Sequence, residues 1–137
     1  MIFLDTNVVS EFVKPQPNPQ VIAWLSKHDL SLALSTVVLA EITYGIEKIR
    51  PDERARRLEG FPAELQRRFA GKLYSFDQES ALLYGVLMGH SRRQGRIVST
   101  ADGMIAAVAL RNQGELATRN VDDFVLPNLL VHNPWTV

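Results

Sequence analysis

The chain has 137 residues, enough for one well-packed domain but too few for two, and its 46% hydrophobic and 22% charged residues exclude a disordered or collagen-like protein. Its 15 basic and 15 acidic residues cancel, and the absence of cysteine excludes disulfide bonds, thiolate nucleophiles and cysteine-ligated zinc. The longest apolar run, residues 104–110, is far shorter than the ~20 residues of a membrane-spanning helix, which excludes a membrane-spanning protein.

In the first half of the chain, short apolar runs alternate with amphipathic helical patterns. A buried strand is predicted over residues 1–4, followed by a helix over 8–13 that a proline cluster stops. A second helix is predicted over residues 19–27, with proline at its start. Residues 30–34 form the second predicted strand, and a third helix, capped by Ser35 or Thr36, runs to about residue 49.

In the second half of the chain, residues 52–70 predict one charge-rich amphipathic helix. The remaining predicted elements are, in chain order, a strand over 72–76, a helix over 78–93, a helix capped by Ser99 or Thr100 that ends near residue 112, and strands over 116–118 and 129–132. Short strands that alternate with longer helices are typical of α/β domains. We therefore predict a single α/β domain over residues 1–137, built on a mainly parallel five-stranded sheet.

Acidic residues follow the ends of different predicted elements. Asp5 follows the first strand, where capping of the next helix would also explain it. Glu41 lies on the apolar stripe of the third helix, where an unpaired carboxylate is costly, and no basic residue occurs between Lys27 and Lys48. Asp102 lies in the first turn of a helix, a position that the helix dipole alone also favours. The case for function is therefore strongest at Glu41.

A polar loop follows the fourth predicted strand and contains Asn120, Asp122 and Asp123, which turn chemistry alone would also explain. In a parallel sheet the binding crevice lies beyond the carboxyl ends of the strands, so we expect the acidic groups to converge there. Such a cluster is unfavourable without a cation, and oxygen ligands with no adjacent Cys or His suit Mg²⁺ or Mn²⁺. One or two such ions fit hydrolysis of a phosphodiester.

The charges are unevenly distributed along the chain. Residues 48–96 carry 11 basic and 6 acidic residues, a net charge of +5, and the rest of the chain carries 4 basic and 9 acidic residues, a net charge of −5. The cationic middle segment is suited to hold a nucleic-acid backbone, although solvated helix faces would also explain it. The candidate RNA-binding residues are Arg67, Arg68, Arg92 and Arg93.

Five motifs occur together in this chain: LDTNVVSE at 4–11, LAE ending at Glu41, ADGMIAA at 101–107, LATRN at 116–120 followed by Asp123 and Phe124, and NPW at 133–135. In content, order and spacing they resemble the PIN-domain ribonucleases, most closely the VapC/FitB-type toxins of bacterial toxin–antitoxin pairs. The resemblance covers nearly the whole chain.

The resemblance implies a PIN-domain fold, which is a Rossmann-like three-layer arrangement with helices on both sides of the sheet. It implies a Mg²⁺- or Mn²⁺-dependent endoribonuclease that acts on RNA. It also implies a homodimer, inhibited by a small DNA-binding antitoxin whose tail enters the active site, in some cases within a larger toxin–antitoxin assembly. We expect the protein in the cytoplasm, because its first residues do not form a signal peptide.

The resemblance also implies roles for individual residues. Asp5, Glu41 and Asp102 match the acidic metal ligands of the family. The polar residues that support the cluster match Thr6, Asn7 and Thr118. At position 120 the family often has Asp, whereas this chain has Asn120, so the fourth catalytic acid is either replaced by Asn120 or supplied by Asp123.

Three other functions are alternatives to a nuclease. The chain would be a non-catalytic co-repressor if it acted only through a complex with a DNA-binding antitoxin, but the acidic residues that catalysis needs are present. A phosphoaspartyl phosphatase needs a second Asp two residues after the first, and position 7 is Asn. A receiver domain needs a Lys late in the sheet, and none follows Lys72.

Overall fold

The computed structural model describes residues 1–136 and places a five-stranded sheet at the centre of the protein. The strands are β1 (Ile2–Leu4), β2 (Leu32–Ser35), β3 (Leu73–Tyr74), β4 (Glu115–Ala117) and β5 (Val131–His132). They lie in the order β3-β2-β1-β4-β5, and every neighbouring pair is parallel. The predicted α/β fold is confirmed, and its mainly parallel sheet is parallel throughout.

Helices connect the strands and cover the sheet. Within residues 1–136 the α-helices are α1 (Thr6–Val9), α2 (Pro19–Lys27), α3 (Thr36–Glu47), α4 (Glu53–Leu58), α5 (Phe61–Arg68), α6 (Gln78–Arg93) and α7 (Thr100–Arg111). Short 3₁₀ helices span Ser10–Val13, Asp29–Ser31 and Val121–Phe124. Every residue of β1 and β2 is buried, as expected for parallel strands that helices cover on both faces.

Side-chain caps explain why several predicted helix boundaries agree with the structure. The Asn18 side chain accepts hydrogen bonds from the first backbone N–H groups of α2, and the Asp77 side chain does the same for α6. Ser35 and Ser99 cap α3 and α7 in the same way. Helices α2 and α6 therefore span the predicted residues 19–27 and 78–93.

The single helix predicted over residues 52–70 is wrong, because the structure has two helices there, α4 and α5. The physical reason is Pro62, which lies in the first turn of α5. Proline has no N–H to donate, and its ring would clash with the carbonyl four residues earlier, that of Leu58. The chain therefore ends α4 at Leu58 and begins a new helix at Phe61.

Two smaller differences concern the ends of the first strands. The helix predicted from residue 8 begins at Thr6, because the Asp5 side chain caps it, and it continues as 3₁₀ turns from Ser10. The strand predicted over residues 30–34 begins at Leu32, because residues 29–31 form a 3₁₀ turn. The first difference places Thr6 and Asn7 in a helix directly after β1, and the second shortens β2 at its amino end.

Helices α6 and α7 form a closely packed antiparallel pair. A Cβ atom at Gly103, near the start of α7, would lie 2.5 Å from Sδ of Met88, in the second half of α6. At the other end of the pair, Arg111 of α7 lies 3.0 Å from Glu79 of α6. The end of α6 and the start of α7 are therefore neighbours. Among residues 1–136, no helix has the length and hydropathy to cross a membrane.

Candidate active site

The topology creates a crevice at one edge of the sheet. The chain leaves β1 to form β2 on one side of it and later returns to form β4 on the other side. At such a switch point the loops after neighbouring strands separate, and ligands bind beyond the carboxyl ends. Asp5 directly follows β1, and Thr118 directly follows β4.

Asp5 is a buried carboxylate held by hydrogen bonds. Its side chain and backbone together are only 5% exposed. Oδ1 accepts a hydrogen bond from the backbone N–H of Thr6 at 2.8 Å, and Oδ2 accepts one from Oγ1 of Thr118 at 2.6 Å. Nδ2 of Asn7 lies 3.3 Å from Oδ2 and donates a third bond. These neutral donors fix the orientation of the carboxylate, and no Lys or Arg of residues 1–136 pairs with it.

The surroundings of Asp5 favour its protonated form. Burial raises the pKa of Asp5, and the hydrogen bonds from Thr118 and Thr6 only partly offset this effect. The negative charges of Glu41 and Asp123 raise the pKa further. The ionised carboxylate is therefore strained in the protein alone, a feature that is typical of functional sites.

Glu41 reaches the same crevice from α3. It is half-buried, and its Oε1 accepts a hydrogen bond from Oγ1 of Thr6 at 2.6 Å. Thr6 thus contacts Glu41 through its side chain and Asp5 through its backbone N–H. The apolar stripe of α3 places Glu41 at the edge of the core, where the hydroxyl of Thr6 gives it a neutral partner.

Asp102 enters the crevice from the first turn of α7. The backbone N–H of Asp102 donates to the side chain of Ser99, the cap of this helix. Burial raises the pKa of Asp102, the charge of Asp5 raises it further, and a hydrogen bond from the Ser99 side chain to the carboxylate opposes this shift. The negative charge of Asp123 also raises the pKa of Asp102. Asp102 is therefore near enough to Asp5 and Asp123 for their charges to disfavour its ionised form.

The loop after β4 contains both candidates for the fourth position, Asn120 and Asp123. Residues 121–124 form a 3₁₀ helix, and the backbone N–H of Asp123 donates to the carbonyl of Asn120 at 3.0 Å. Phe124 is 1% exposed and anchors this loop in the core. The charge of Asp123 influences the pKa values of both Asp5 and Asp102. Asp122 and Asp123 are both exposed, but Asp122 is not among the main influences on either pKa.

Asn7, Thr118 and Asn120 form a hydrogen-bonded support beneath the acids. Oγ1 of Thr118 accepts a hydrogen bond from the backbone N–H of Asn120 at 3.1 Å, and it donates a hydrogen bond to Oδ2 of Asp5. The side chain of Asn7 accepts the backbone N–H of Arg119 at 3.3 Å. Thr118 is completely buried, so its hydroxyl serves these partners and not solvent.

Asp5, Glu41, Asp102 and Asp123 come from four separate segments and are close enough for their charges to act on one another. In residues 1–136, however, no three His, Asp or Glu side chains are close enough to ligate one metal ion directly. The oxygen-only donor set is one that suits a hard, partly hydrated divalent cation.

The candidate RNA-binding arginines lie in different places. Arg68 stacks on the ring of Phe12, with its Cζ atom 4.1 Å from the ring centroid, and lies beside Asp29 and Leu32 at the amino end of β2. This is the edge of the sheet opposite to the crevice. Arg92 and Arg93 lie at the end of α6 that neighbours the start of α7, and hence on the side of Asp102.

A second buried carboxylate, Glu11, lies close to the crevice and was not predicted from the sequence. Glu11 is only 1% exposed, its Oε1 accepts the backbone N–H of Asn18 at 2.8 Å, and its Oε2 forms an ion pair with Lys14. Burial alone raises the pKa of Glu11, but its bonds with Lys14 and Asn18 and the charge of Arg119 outweigh burial and hold the pKa below its ordinary value. The signal that could have revealed it is Lys14, three residues further along.

Arg119 is a cation beside the crevice that was not predicted from the sequence either. Its guanidinium carbon lies 5.2 Å from the centroid of the Trp135 ring, within range of a cation–π contact. Its backbone N–H donates to Asn7, which in turn bonds to Asp5. Trp135 of the NPW motif therefore contacts Arg119. This contact could not be predicted from the sequence of either segment alone.

The chain belongs to the PIN domain family, whose pattern it matches over residues 2–125. It is similar to relatives of nearly its own length. It is 35% identical over 137 residues to toxin FitB of Neisseria gonorrhoeae, covering 98% of this chain and 99% of that protein. It is 40% identical over 137 residues to the plasmid stability protein StbB of Pseudomonas syringae pv. tomato, with the same coverage.

Solved structures agree with this assignment. The crystal structure of FitAcB from Neisseria gonorrhoeae superposes with a TM-score of 0.90 at 33% identity and covers 100% of both chains. The structure of VapBC2 from Rickettsia felis, bound to a DNA fragment from its promoter, gives a TM-score of 0.80 at 26% identity and covers 97% and 98% of the two chains. The resemblance to PIN-domain toxins of the VapC/FitB type is confirmed.

Proposed function

We propose that the chain is the toxin of a type II toxin–antitoxin pair and a divalent-metal-dependent endoribonuclease that hydrolyses RNA phosphodiester bonds. The observation that carries this proposal is Asp5, a buried carboxylate with a raised pKa that has three carboxylate neighbours and no basic partner among residues 1–136. Such repulsion is relieved when a cation binds. Relatives named VapC ribonuclease and tRNA(fMet)-specific endonuclease VapC support this reaction class.

The donor set fits Mg²⁺ or Mn²⁺, because hard cations prefer carboxylate and amide oxygens and keep several waters. Asp5 and Asp102 would hold the ion, and Glu41 and Asp123 would complete the site directly or through water. When bound, such an ion lowers the pKa of a water molecule and offsets negative charge on the phosphate.

The residues around the acids hold them in position. Thr118 and the backbone N–H of Thr6 direct the two oxygens of Asp5, and the hydroxyl of Thr6 fixes Glu41. Because these donors are neutral, they orient the carboxylates without neutralising them, and the negative charge stays available for a cation. Asn120 is exposed and its backbone N–H is held by Thr118, and an amide at this position would orient a water or a phosphate oxygen.

We further infer a homodimer in the cytoplasm, held inactive by a cognate small DNA-binding antitoxin. The observation that supports the antitoxin is that related toxins were solved as FitAB and VapBC complexes, three of them with DNA bound. The same observation favours a second candidate function, a non-catalytic partner in a repressor complex. The retained carboxylate cluster favours catalysis, and RNA cleavage by the purified protein separates the two functions.

The protein purified without antitoxin should cleave RNA in the presence of Mg²⁺ or Mn²⁺ and stop when EDTA is added. Asp5→Asn and Asp102→Asn should each lower the cleavage rate by more than about 10²-fold, because each removes a charge that would hold the cation. Gel-based cleavage of total RNA and of a labelled RNA oligonucleotide measures both effects.

Asp29→Asn is the matched control, because Asp29 is an exposed carboxylate at the amino end of β2, away from the crevice. It should cut RNA at the rate of the parent. If Asp5→Asn and Asp102→Asn fold and cut like the parent, the metal site is wrong. If the parent binds its antitoxin and operator DNA but cuts no RNA with any divalent cation, the non-catalytic function replaces the nuclease.

A further inference from the structure

A surface cavity of about 410 Å³ lies at the turn between α6 and α7. Its walls include Met88, Ser91, Arg92 and Arg96, and none of its lining residues is acidic. Met88 also packs against Gly103, the residue next to Asp102. The cavity is therefore separate from the carboxylate crevice but lies at the same end of the helix pair. We call it the Arg92–Arg96 cavity.

The end of α6 explains why two arginines meet at this cavity. Gly95 adopts a φ of +74°, which favours glycine, and turns the chain back on the helix. The backbone N–H of Arg96 donates to the carbonyl of Ser91 at 2.9 Å. The backbone N–H of Gly95 donates to the carbonyl of Arg92 at 3.0 Å. This pair of bonds is a Schellman motif, and it fixes Arg96 beside the last turn of α6.

The two guanidinium groups have no anionic partner in residues 1–136. Neither Arg92 nor Arg96 forms an ion pair with a described residue, whereas Arg50, Arg54 and Arg111 all do. The sequence from 80 to 101 contains three arginines and no acidic residue, so no local carboxylate neutralises them. Two adjacent, unpaired cations at a concave surface attract an anion.

The wall of the cavity also contains an unused hydrogen-bonding group. Ser91 is only 2% exposed, and its Oγ has no hydrogen-bond partner among the described residues. Buried hydroxyl groups are normally paired, because an unpaired one loses its bonds to water without replacement. Because Ser91 lines the cavity, rotation of its side chain toward the cavity would bring this hydroxyl to a phosphate oxygen.

We propose that the Arg92–Arg96 cavity binds a backbone phosphate of the RNA substrate and so directs the strand toward the carboxylates beside Asp102. Guanidinium groups bind phosphate through two parallel charge-assisted hydrogen bonds, which fix its position as well as its affinity. The inference rests on the proposed nuclease function and specifies where its substrate lies. It assigns Arg92 to this role and excludes its neighbour Arg93, which lines another cavity together with Leu83 and Pro127.

The test compares Arg92→Ala/Arg96→Ala with Arg93→Ala, a matched control that removes the neighbouring arginine. Binding of a fluorescently labelled mixed-sequence RNA oligonucleotide is measured by anisotropy in EDTA, where cleavage cannot occur. The double variant should bind about tenfold more weakly than the parent. Its slope of log affinity against log salt should fall by about 0.7 for each RNA phosphate that the variant no longer neutralises. Arg93→Ala should bind RNA within about twofold of the parent in the same assay.

Steady-state cleavage gives a second readout. Removal of a binding group that acts equally on substrate and transition state raises KM and leaves kcat unchanged. The double variant should therefore show a KM about tenfold higher at an unchanged kcat, and unchanged Mn²⁺ binding by calorimetry. Asp102→Asn should do the opposite, with a lower kcat and unchanged RNA binding in EDTA.

Parent-like RNA affinity and salt slope in the double variant would overturn the phosphate site while leaving the nuclease intact. A change in sedimentation coefficient without a change in RNA affinity would also overturn it, since the cavity would then serve contact between two copies of the chain. If the parent neither binds nor cuts RNA, the proposed function itself fails, and the metal-dependent cleavage assay detects that failure separately.

Discussion

Two buried carboxylates six positions apart, Asp5 and Glu11, have opposite electrostatic environments. They are 5% and 1% exposed, respectively, and both accept hydrogen bonds from backbone N–H groups. Yet the pKa of Asp5 is raised by burial, whereas ion pairing with Lys14 and the charge of Arg119 hold the pKa of Glu11 below its ordinary value. Equal burial therefore does not imply an equal role.

The pKa values of the two carboxylates differ because different groups contact them. Glu11 has a basic partner three residues away and a bond from Asn18 that closes the proline-rich loop, so its charge supports the fold. Asp5 has neutral donors and carboxylate neighbours, so its charge opposes the fold, and a bound cation would relieve this effect. A buried acid whose charge the protein leaves uncompensated is a better marker of a binding site than burial or position in a motif.

The largest expected effect separates these two acids by their contributions to stability. Glu11→Gln should lower the free energy of unfolding by about 2 kcal/mol, because breaking a buried ion pair costs more than that but Lys14 is half exposed and screened by solvent. Asp5→Asn should leave the free energy of unfolding of metal-free protein unchanged or raise it, because it removes a strained charge. Urea denaturation at neutral pH measures both.

Glu64→Gln, a change at an exposed carboxylate of α5, is the control and should unfold like the parent. A large loss of stability in Asp5→Asn, equal to that in Glu11→Gln, would mean that both carboxylates serve the fold. The proposed difference in role between Asp5 and Glu11 would then be wrong.

A smaller effect should appear when the pH is lowered. The folded pKa of Glu11 lies below its ordinary value of 4.5, so its stabilising contribution is complete above that value and is lost as the pH falls through the lowered pKa. The difference in unfolding free energy between the parent and Glu11→Gln should thus be constant near neutrality and shrink in acid. Denaturant titrations between about pH 7 and about pH 3 follow this difference. A difference that grows in acid would contradict the lowered pKa.

The smallest expected effect concerns the loop after β4. Asp123 adds charge to Asp5 and Asp102, so Asp123→Asn should lower cleavage about tenfold at limiting Mg²⁺, with partial recovery in excess metal. Asn120→Asp should retain or tighten metal binding, since a carboxylate is the stronger ligand. Asp122→Asn is the control and should have little effect. A damaging Asp122→Asn beside a silent Asp123→Asn would show that the assignment of this loop is off by one residue.

Much of the fold could be predicted because its signals are local. Proline and a capping Asn mark the start of α2, a capping Asp marks that of α6, and short apolar runs mark the strands. The break between α4 and α5 was missed, because the charge pattern of residues 52–70 continues across Pro62 as if the helix did. Pro62 cannot continue a helix, so it ends the helical pattern of residues 52–70 although the charge pattern of that segment continues.

The site was predictable in part for the same reason. The acids at the ends of elements could be found from strand and helix boundaries, and the structure brings them together. Arg119 and its contact with Trp135 could not be found, because the two residues meet only through the pairing of β4 with β5. The charge pattern of residues 48–96 does not show where each arginine lies in space. Arg68 and Arg92 therefore looked equivalent, although Arg68 lies at the amino end of β2 and Arg92 at the end of α6 near the start of α7.

The hydrogen bonds that hold the acids span very different lengths of chain. Thr6 and Glu41 are 35 residues apart, whereas Thr118 and Asp5 are 113 residues apart. During synthesis Asp5 emerges among the first residues, but the hydroxyl that orients it comes after every α-helix of residues 1–136 has been made. No shorter nascent chain can hold Asp5 in this geometry. A ribosome that stalls before Thr118 therefore releases a fragment without the proposed nuclease centre, and the order of translation itself delays the appearance of a toxic activity.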